Sequence, residues 1–340
     1  MIKDVLQKLM DGCDLTEIEA QDMMNAIMGG ELTPAQIGGL LIALRIKKET
    51  VEEITGCARV MRDKALRVDL GGLECMDTCG TGGDGSGTFN ISTATAFVLA
   101  GAGVAVAKHG NRSMSSKCGS ADVLEALGAK VDLSPEGVAR CIREAGLGFM
   151  YAPAYHSAMK YAIGPRKELG VRTVFNMLGP LTNPAGATRQ VLGVYDAALT
   201  HPIAEVLGRL GAARALVVHG SDGLDELTVT GSTYVSELHE NGTVTDYQIH
   251  PEGLGLGIYR PEELKGGDAQ KNAAIIRGLF SGDTGAKRDI LLLNSGAALY
   301  IAGKANTLPD GIQLAKDIID GGVAMERLNA FVAFTQGYAA

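Results

Sequence analysis

The chain has 340 residues, 46% of them apolar and 21% charged, with a formal net charge of -8 and no tryptophan. Such a composition describes a globular protein with room for two domains and a large core, and it excludes a disordered or fibrous chain. The acidic balance and sparse aromatic residues argue against a nucleic-acid binder, which needs a basic face or stacking rings.

The N-terminal Met1-Ile2-Lys3-Asp4 lacks the apolar region of a signal peptide. The first seventy residues then read as helices. Ile2, Val5, Leu6 and Leu9 fall on one helical face. Three capping boxes follow, Thr16-x-x-Glu19, Thr33-Pro34-x-Gln36 and Thr50-x-x-Glu53, each opening an apolar-periodic run. Pro34 takes the first helical position, where its missing N–H costs nothing. A helical domain over 1–72 is expected, with part of 155–185 joining it.

From residue 73 to 340 short apolar runs alternate with helical ones. Strands are predicted at Val104–Lys108, Leu147–Tyr151, Gln190–Tyr195 and Ala215–His219. Helices are predicted at Ala121–Leu127, Pro135–Ala145 and Pro202–Leu210. That alternation predicts an α/β domain, a mostly parallel sheet with flanking helices, beside the smaller all-helical domain. Asn241-Gly242 between Val235–Leu238 and Thr245–Ile249 predicts a hairpin, hence an antiparallel piece. The last ninety residues read as helical, with Ala324, Met325, Leu328, Phe331 and Val332 on one face. The segment from Tyr155 to Asn183, rich in Pro, Gly and cations, breaks the alternation and reads as a crossover back to the helical domain.

Six cysteines, at 13, 57, 75, 79, 118 and 141, include no C-x-x-C and so no zinc-ribbon spacing. A chain this rich in core needs no disulfide staples, so they read as free thiols in a reducing cytoplasm. The longest apolar tract, Ile91 to Ala107, is interrupted by polar residues and Gly and is short for a membrane span. No membrane partner is expected.

The densest chemical signal is Asp77 to Asn90, DTCGTGGDGSGTFN, followed by Ile91-Ser92-Thr93. Glycines let backbone N–H groups approach a ligand, and a helix start turns free amides and a positive dipole end outward. Together they form an anion cradle. Asp84 within it would repel a phosphate unless a cation lay between, which points to a phosphorylated ligand with a divalent metal. Gly80, Gly82 and Gly85 also fit the dinucleotide fingerprint, but the acidic residue wanted some 20 positions later is absent. No Lys follows the glycines as in a P-loop. A purely structural turn is the third reading.

Lys108-His109-Gly110-Asn111-Arg112-Ser113-Met114-Ser115-Ser116 follows a predicted strand, where α/β sheets place ligands. Its plain alternative is a solvated basic turn. Asp225-Glu226, beyond the strand ending at His219, supplies adjacent hard carboxylates of the kind that share Mg²⁺ with a phosphate. Taken alone, such a pair is an ordinary wet loop. Arg166 could hold a substrate carboxylate with two parallel hydrogen bonds, although its spacing alone favours a solvent-facing helix residue.

In combination these motifs are specific. Gly80-Thr81-Gly82-Gly83-Asp84, Asn90-x-Ser92-Thr93, Lys108-His109-Gly110-Asn111, Gly179-Pro180-Leu181-Thr182-Asn183-Pro184 and Asp225-Glu226 together resemble the anthranilate phosphoribosyltransferases of tryptophan biosynthesis, in order and over nearly the whole chain. Pyrimidine nucleoside phosphorylases share a Thr-Gly-Gly loop and Lys-His-Gly but lack the Gly-Gly-Asp and Gly-Pro-Leu-Thr-Asn-Pro runs. The resemblance implies an active site between the two domains and a homodimer through the helical domains. It implies phosphoribosyl pyrophosphate contacts at Gly80, Gly83, Asp84, Thr88, Asn90, Ile91, Ser92, Thr93, Lys108 through Ser116 and Ser120. It implies anthranilate contacts at Gly80, Asn111 and Arg166, and two Mg²⁺ held by Ser92, Asp225 and Glu226. Lys108, His109, Asp225 and Glu226 would carry the catalysis. The alternatives are a phosphorylase using inorganic phosphate, and a non-enzymatic nucleic-acid-binding relative of the same fold.

Overall fold

The computed structural model describes residues 2–113 and 117–338. The chain opens with four helices, α1 (Ile2–Met10), α2 (Glu17–Gly29), α3 (Pro34–Lys47) and α4 (Val51–Lys64). The last three begin at the predicted capping boxes. At the first, the Glu19 N–H donates to Thr16 Oγ1 at 3.2 Å, while the Thr16 N–H donates to the Glu19 carboxylate at 2.8 Å. Two amides that the helix cannot pair internally are thereby satisfied. A buried carboxylate fastens the bundle. Glu53 accepts the Leu15 N–H at 2.8 Å and pairs with Lys47 Nζ at 2.9 Å. That full pairing is what a charge inside a core requires.

The α/β part follows in chain order: β1 (Met76–Asp77), α5 (Ile91–Gly101), β2 (Val106–Gly110), α6 (Ser120–Ala126), α7 (Pro135–Ala145), β3 (Leu147–Tyr151), α8 (Ala152–Tyr155), α9 (Lys160–Leu169), α10 (Phe175–Leu178), β4 (Arg189–Gly193), α11 (Thr200–Arg209), β5 (Arg214–Gly220), β6 (Thr233–Leu238) and β7 (Val244–Ile249). Helices α12 (Ala269–Phe280), α13 (Ala286–Ile301), α14 (Leu308–Asp320) and α15 (Val323–Gly337) complete it. Among the described residues the strands form one seven-stranded sheet in the order β3-β2-β1-β4-β5-β6-β7. The first five strands of that order are parallel; β5-β6 and β6-β7 are antiparallel, with Asn241-Gly242 in the hairpin turn. This is the expected class, a mostly parallel sheet flanked by helices beside a helical bundle.

Both faces of the sheet are covered. On β5, Leu216 and Val218 enter the core formed with α5 and α13–α15, whereas Ala215 and Val217 enter the core shared with α11 and the N-terminal helices. Period-two alternation thus joins the bundle to one side of the sheet. The Tyr155–Asn183 segment contributes Ala162, Val174, Phe175 and Leu178 to that same bundle-side core.

The strand expected at Gln190–Tyr195 runs from Arg189 to Gly193. The strand expected at Val104–Lys108 begins at Val106 instead. Gly103 turns with φ +71° and the Val104 N–H still donates to Leu99 O, so the chain straightens only afterwards. The central strand β1 was not expected. It is two residues long, too short to show any period.

Candidate active site

The parallel strands deliver three segments to one edge of the sheet: the glycine loop after β1, the Asn111 stretch after β2 and residues 221–227 after β5. Carboxyl ends of parallel strands are where such sheets bind ligands. A single hydrogen bond joins the two motifs on which a shared site depends. The Gly82 N–H donates to Asp225 Oδ2 at 2.6 Å. Beside it the Thr81 N–H donates to Gly193 O at 2.8 Å, at the tip of β4.

Only glycine fits at two of these positions. A Cβ on Gly80 would lie 2.7 Å from Asp225 Oδ2, and one on Gly193 only 1.5 Å from the Asp225 carbonyl oxygen. The loop itself turns through positive φ at Gly82, Gly83, Gly85 and Gly87, a conformation that disfavours any side chain. Asp84 accepts from the Ser86 N–H at 3.3 Å and from the Ser86 hydroxyl. Thr88 forms an isolated bridge with Lys265.

Helix α5 begins just beyond. Asn90 at its N-cap makes no capping bond to the helix. Its side chain donates to Cys118 O at 3.2 Å and accepts from Asn272 Nδ2 at 2.9 Å. The Asn90 side chain therefore satisfies none of the first-turn amides. Ser92 Oγ accepts from Lys108 Nζ at 3.3 Å, and the Ser92 backbone amide favours the charged form of the Glu226 carboxyl. The Thr93 hydroxyl is buried without a hydrogen-bond partner, as is that of Thr81. Ile91 offers a ligand little. Its side chain is in the core and its N–H already donates to Phe89 O at 2.8 Å.

Lys108 and His109 lie within β2 rather than after it, so their side chains leave opposite faces. Lys108 reaches the acidic side, donating to Thr78 O at 2.9 Å and Thr78 Oγ1 at 3.3 Å. His109 reaches the crossover, where its Nδ1 sits 3.2 Å from Gly179 O and its ring 5.1 Å from that of His156. Burial, then His156, push the His109 imidazole down to about 3, so it is neutral at pH 7. Arg166, on α9, stacks 5.0 Å over Phe175 of the same crossover, and burial lowers its pKa.

Farther along the rim, Asn111 Oδ1 accepts the Arg112 N–H at 2.7 Å, and Ser120 Oγ donates to Asn111 O at 3.2 Å. Gly110 fits against that hydroxyl, since a Cβ there would meet Ser120 Oγ at 2.3 Å. Arg112 forms two 2.6 Å bonds to Glu125 and one of 3.1 Å to Asp122. The Ser113 N–H donates to Asp122 Oδ2 at 3.0 Å. Met114, Ser115 and Ser116 lie outside the described residues.

The acidic doublet carries the strongest electrostatic signature. Burial, then Glu226 and Asp84, raise the Asp225 carboxyl well above its ordinary range. Burial pushes Glu226 up to about 8, with Lys108 opposing and Asp84 reinforcing the shift. Three carboxylates thus face one ammonium, an excess of negative charge that fits a divalent cation. Among the described residues no three His, Cys, Asp or Glu side chains form a ready-made cage. Mg²⁺ suits that arrangement, because it takes one or two carboxylates and completes its shell with water and substrate phosphates.

Several site-building residues carried no sequence expectation. Gly193 had a usable signal, since glycine at a strand tip marks close backbone approach. Thr78 acts partly through its carbonyl, which no sequence pattern reports. Asp77 and Asn183 explain the Gly-Pro-Leu-Thr-Asn-Pro run. Asn183 Nδ2 donates to Asp77 Oδ2 at 2.7 Å and to Ala107 O at 2.8 Å, stapling the crossover to β1 and β2. None of the six cysteines is in a disulfide. Burial pushes Cys79 up and Cys118 up to about 11, so neither is a thiolate at neutral pH.

Family models agree with this architecture. The glycosyl transferase family helical bundle domain matches residues 3–65, and the glycosyl transferase family a/b domain matches residues 72–325. The anthranilate phosphoribosyltransferase of Moorella thermoacetica is 55% identical over 340 residues, covering 100% of both chains. That of Acetivibrio thermocellus is 55% identical over 338 residues, 99% of this chain and 98% of the relative. Among solved structures, the Thermus thermophilus enzyme superposes with a TM-score of 0.93 at 46% identity, covering 98% of this chain and 100% of that one. The Saccharomyces cerevisiae enzyme in complex with PRPP and Mg gives 0.89 at 27% identity, covering 99% and 98%. With its glycine loop hydrogen-bonded to an acidic doublet and with full-length identity at this level, the chain belongs to the anthranilate phosphoribosyltransferase family.

Proposed function

We infer that this protein joins the phosphoribosyl group of phosphoribosyl pyrophosphate to the amine of anthranilate, releasing pyrophosphate, in tryptophan biosynthesis. The observation that carries the reading is the Gly82–Asp225 hydrogen bond, which brings the glycine loop and the acidic doublet together beside Lys108. The carboxylate excess and the buried free hydroxyl of Thr93 fit a site for Mg²⁺ and a diphosphate. Asp225, Glu226 and Ser92 would hold two Mg²⁺ there. Bound Mg²⁺ supplies neutralisation of charge on the departing pyrophosphate.

The chain's own residues do the rest. Breaking the C1–O bond of the ribose gives an oxocarbenium-like state, as in glycoside cleavage, so the demand is for stabilisation of the leaving anion. Lys108, fixed by Thr78 and Ser92, supplies a preset positive charge. The α5 amides and the bare glycine backbone supply oriented donors. Anthranilate's aromatic amine is neutral at pH 7 and attacks without prior deprotonation. That agrees with a cleft in which His109 faces the other side of β2. Asn111, Gly80 and the crossover residue Arg166 would hold anthranilate, and positioning of both substrates carries much of the rate.

The molecule is proposed to pair through its helical bundle. An apolar groove of about 1010 Å³ there is lined by Leu6, Leu9, Ile42, Ile46 and Leu169. Met10 and Ile46 at its edge are 66% and 77% exposed, a patch of the kind interfaces cover. Among the described residues no helix is long and apolar enough to cross a membrane; cysteines outside any disulfide suit a cytoplasmic enzyme. The decisive assay mixes the protein, Mg²⁺, phosphoribosyl pyrophosphate and anthranilate, and follows anthranilate fluorescence. Its loss, with pyrophosphate release, is expected. Turnover instead of inorganic phosphate with a pyrimidine nucleoside would assign the phosphorylase reaction.

A further inference from the structure

Arg172 lies between α9 and α10, on the crossover that packs with the helical bundle. Its guanidinium stacks on the Tyr195 ring at 4.2 Å, just beyond β4, and its Nη2 donates to the Gly83 carbonyl. A stacked guanidinium is a rigid, permanently charged donor.

The loop it grips turns through positive φ at Gly82, Gly83, Gly85 and Gly87. At one end it is anchored by the Gly82 N–H on Asp225. At the other it is anchored by the Gly266 N–H, which donates to Gly87 O at 2.9 Å. Arg172 holds the span between them, on Gly83. No peptide bond among the described residues is cis. In a trans peptide the Gly83 carbonyl and the Asp84 N–H therefore point in opposite directions. Fixing the carbonyl against Tyr195 turns the Asp84 N–H away from Arg172. A cationic partner on the carbonyl also polarises that peptide and strengthens its N–H as a donor.

We propose that Arg172 is a positioning residue for the transfer: stacked on Tyr195, it sets the Gly83–Asp84 peptide so that the Asp84 amide receives the diphosphate of phosphoribosyl pyrophosphate. The proposal rests on the function inferred above. It gives the crossover a direct hold on the phosphate loop, so the helical side of the molecule takes part in defining the sugar-phosphate site.

The test compares Arg172→Ala, Arg172→Lys and Tyr195→Leu with the wild type. The binding of phosphoribosyl pyrophosphate with Mg²⁺ is measured by calorimetry, and KM for each substrate by fluorescence. Arg172→Ala is expected to weaken phosphoribosyl pyrophosphate about tenfold, the usual scale of one charge-assisted bond. KM for anthranilate should stay within about twofold and Tm should not move. Millimolar guanidinium ion should restore part of the loss in Arg172→Ala. Arg172→Lys and Tyr195→Leu should weaken the same substrate less, because each removes only half of the stacked clamp. A wild-type Kd in Arg172→Ala would overturn the proposal while leaving the function intact. So would equal rises in both KM values, or a loss that tracks a fall in Tm. A wild type that binds no phosphoribosyl pyrophosphate would overturn both.

Discussion

Gly193→Ala is the sharpest single perturbation of the cleft, because it inserts one methyl group where the β4 tip meets the residue 225 backbone. The added Cβ would stand 1.5 Å from the Asp225 carbonyl oxygen, and Cβ contacts closer than 3.0 Å essentially do not occur. The separation must therefore at least double. Gly193 O also accepts the Thr81 N–H, and Asp225 Oδ2 accepts that of Gly82, so the shift passes directly into the glycine loop. A misplacement of about 1 Å can cost on the order of 100-fold in rate, so kcat/KM for phosphoribosyl pyrophosphate should fall at least that far. Overpacking at one methyl costs about 1–3 kcal/mol of stability, a few degrees in Tm for a protein of this size. The measurement is initial rate well below the variant's Tm, alongside a thermal melt. Gly253→Ala, where a Cβ meets nothing within 4 Å, serves as the control. Near-wild-type kcat/KM in a folded Gly193→Ala protein would show that the doublet and the loop need not keep this spacing.

Asp225→Asn with Glu226→Gln should abolish turnover in the fluorescence assay and raise the Tm of the free protein, since it removes crowded like charges. The same charges predict a pH slope. Both carboxyls hold protons in the folded protein that the unfolded chain has released, so stability falls as pH rises toward about 8. Below the ordinary histidine pKa of about 6.5, the buried neutral His109 and His156 act in the opposite sense. The clean window for thermal melts is therefore pH 6.5 to 8, and the double variant should flatten the slope there. Arg166→Ala should raise KM for anthranilate about tenfold with little change for phosphoribosyl pyrophosphate; an unchanged KM would mean the carboxylate is held elsewhere. Ile46→Glu, which places a charge in the apolar groove of the bundle, should shift the protein to monomer in sedimentation velocity. A dimer that survives it would remove the bundle groove as the interface.

Much of this was legible because local signals and global packing agree. Thr16, Thr33 and Thr50 predicted three helix starts from a spacing whose bonds close within four residues, so the signal is complete in the local sequence and the packing agrees with it. Asn241-Gly242 fixed its hairpin for the same reason. The glycine loop and the acidic doublet were visible as composition, but their meeting was not. It is made by a bond between residues 82 and 225, and only the strand order brings those together. The slip of two residues in β2 had the largest chemical consequence. It put His109 as well as Lys108 inside the strand, where alternation sends the two side chains to opposite faces. The backbone acceptors Thr78 O, Gly193 O and Gly83 O were illegible in principle, because every residue has a carbonyl.

The electrostatics of the free cleft connect these pieces. Asp225 and Asp84 are held by hydrogen bonds from Gly82 and Ser86 that neutral carboxyls could accept as well, so the charge excess is not what holds the fold together. It is a standing cost to the free protein, seen in carboxyls that resist ionisation. A diphosphate arriving alone would deepen that repulsion, while a divalent cation arriving alone would find too few ligands to fill its shell. The arrangement therefore favours the two together, each removing the penalty the other would meet. Stability and activity should accordingly move in opposite directions at 225 and 226, as is common where a site is built from groups held in an unfavourable state. At Gly193 they should fall together, because that position supplies space rather than charge.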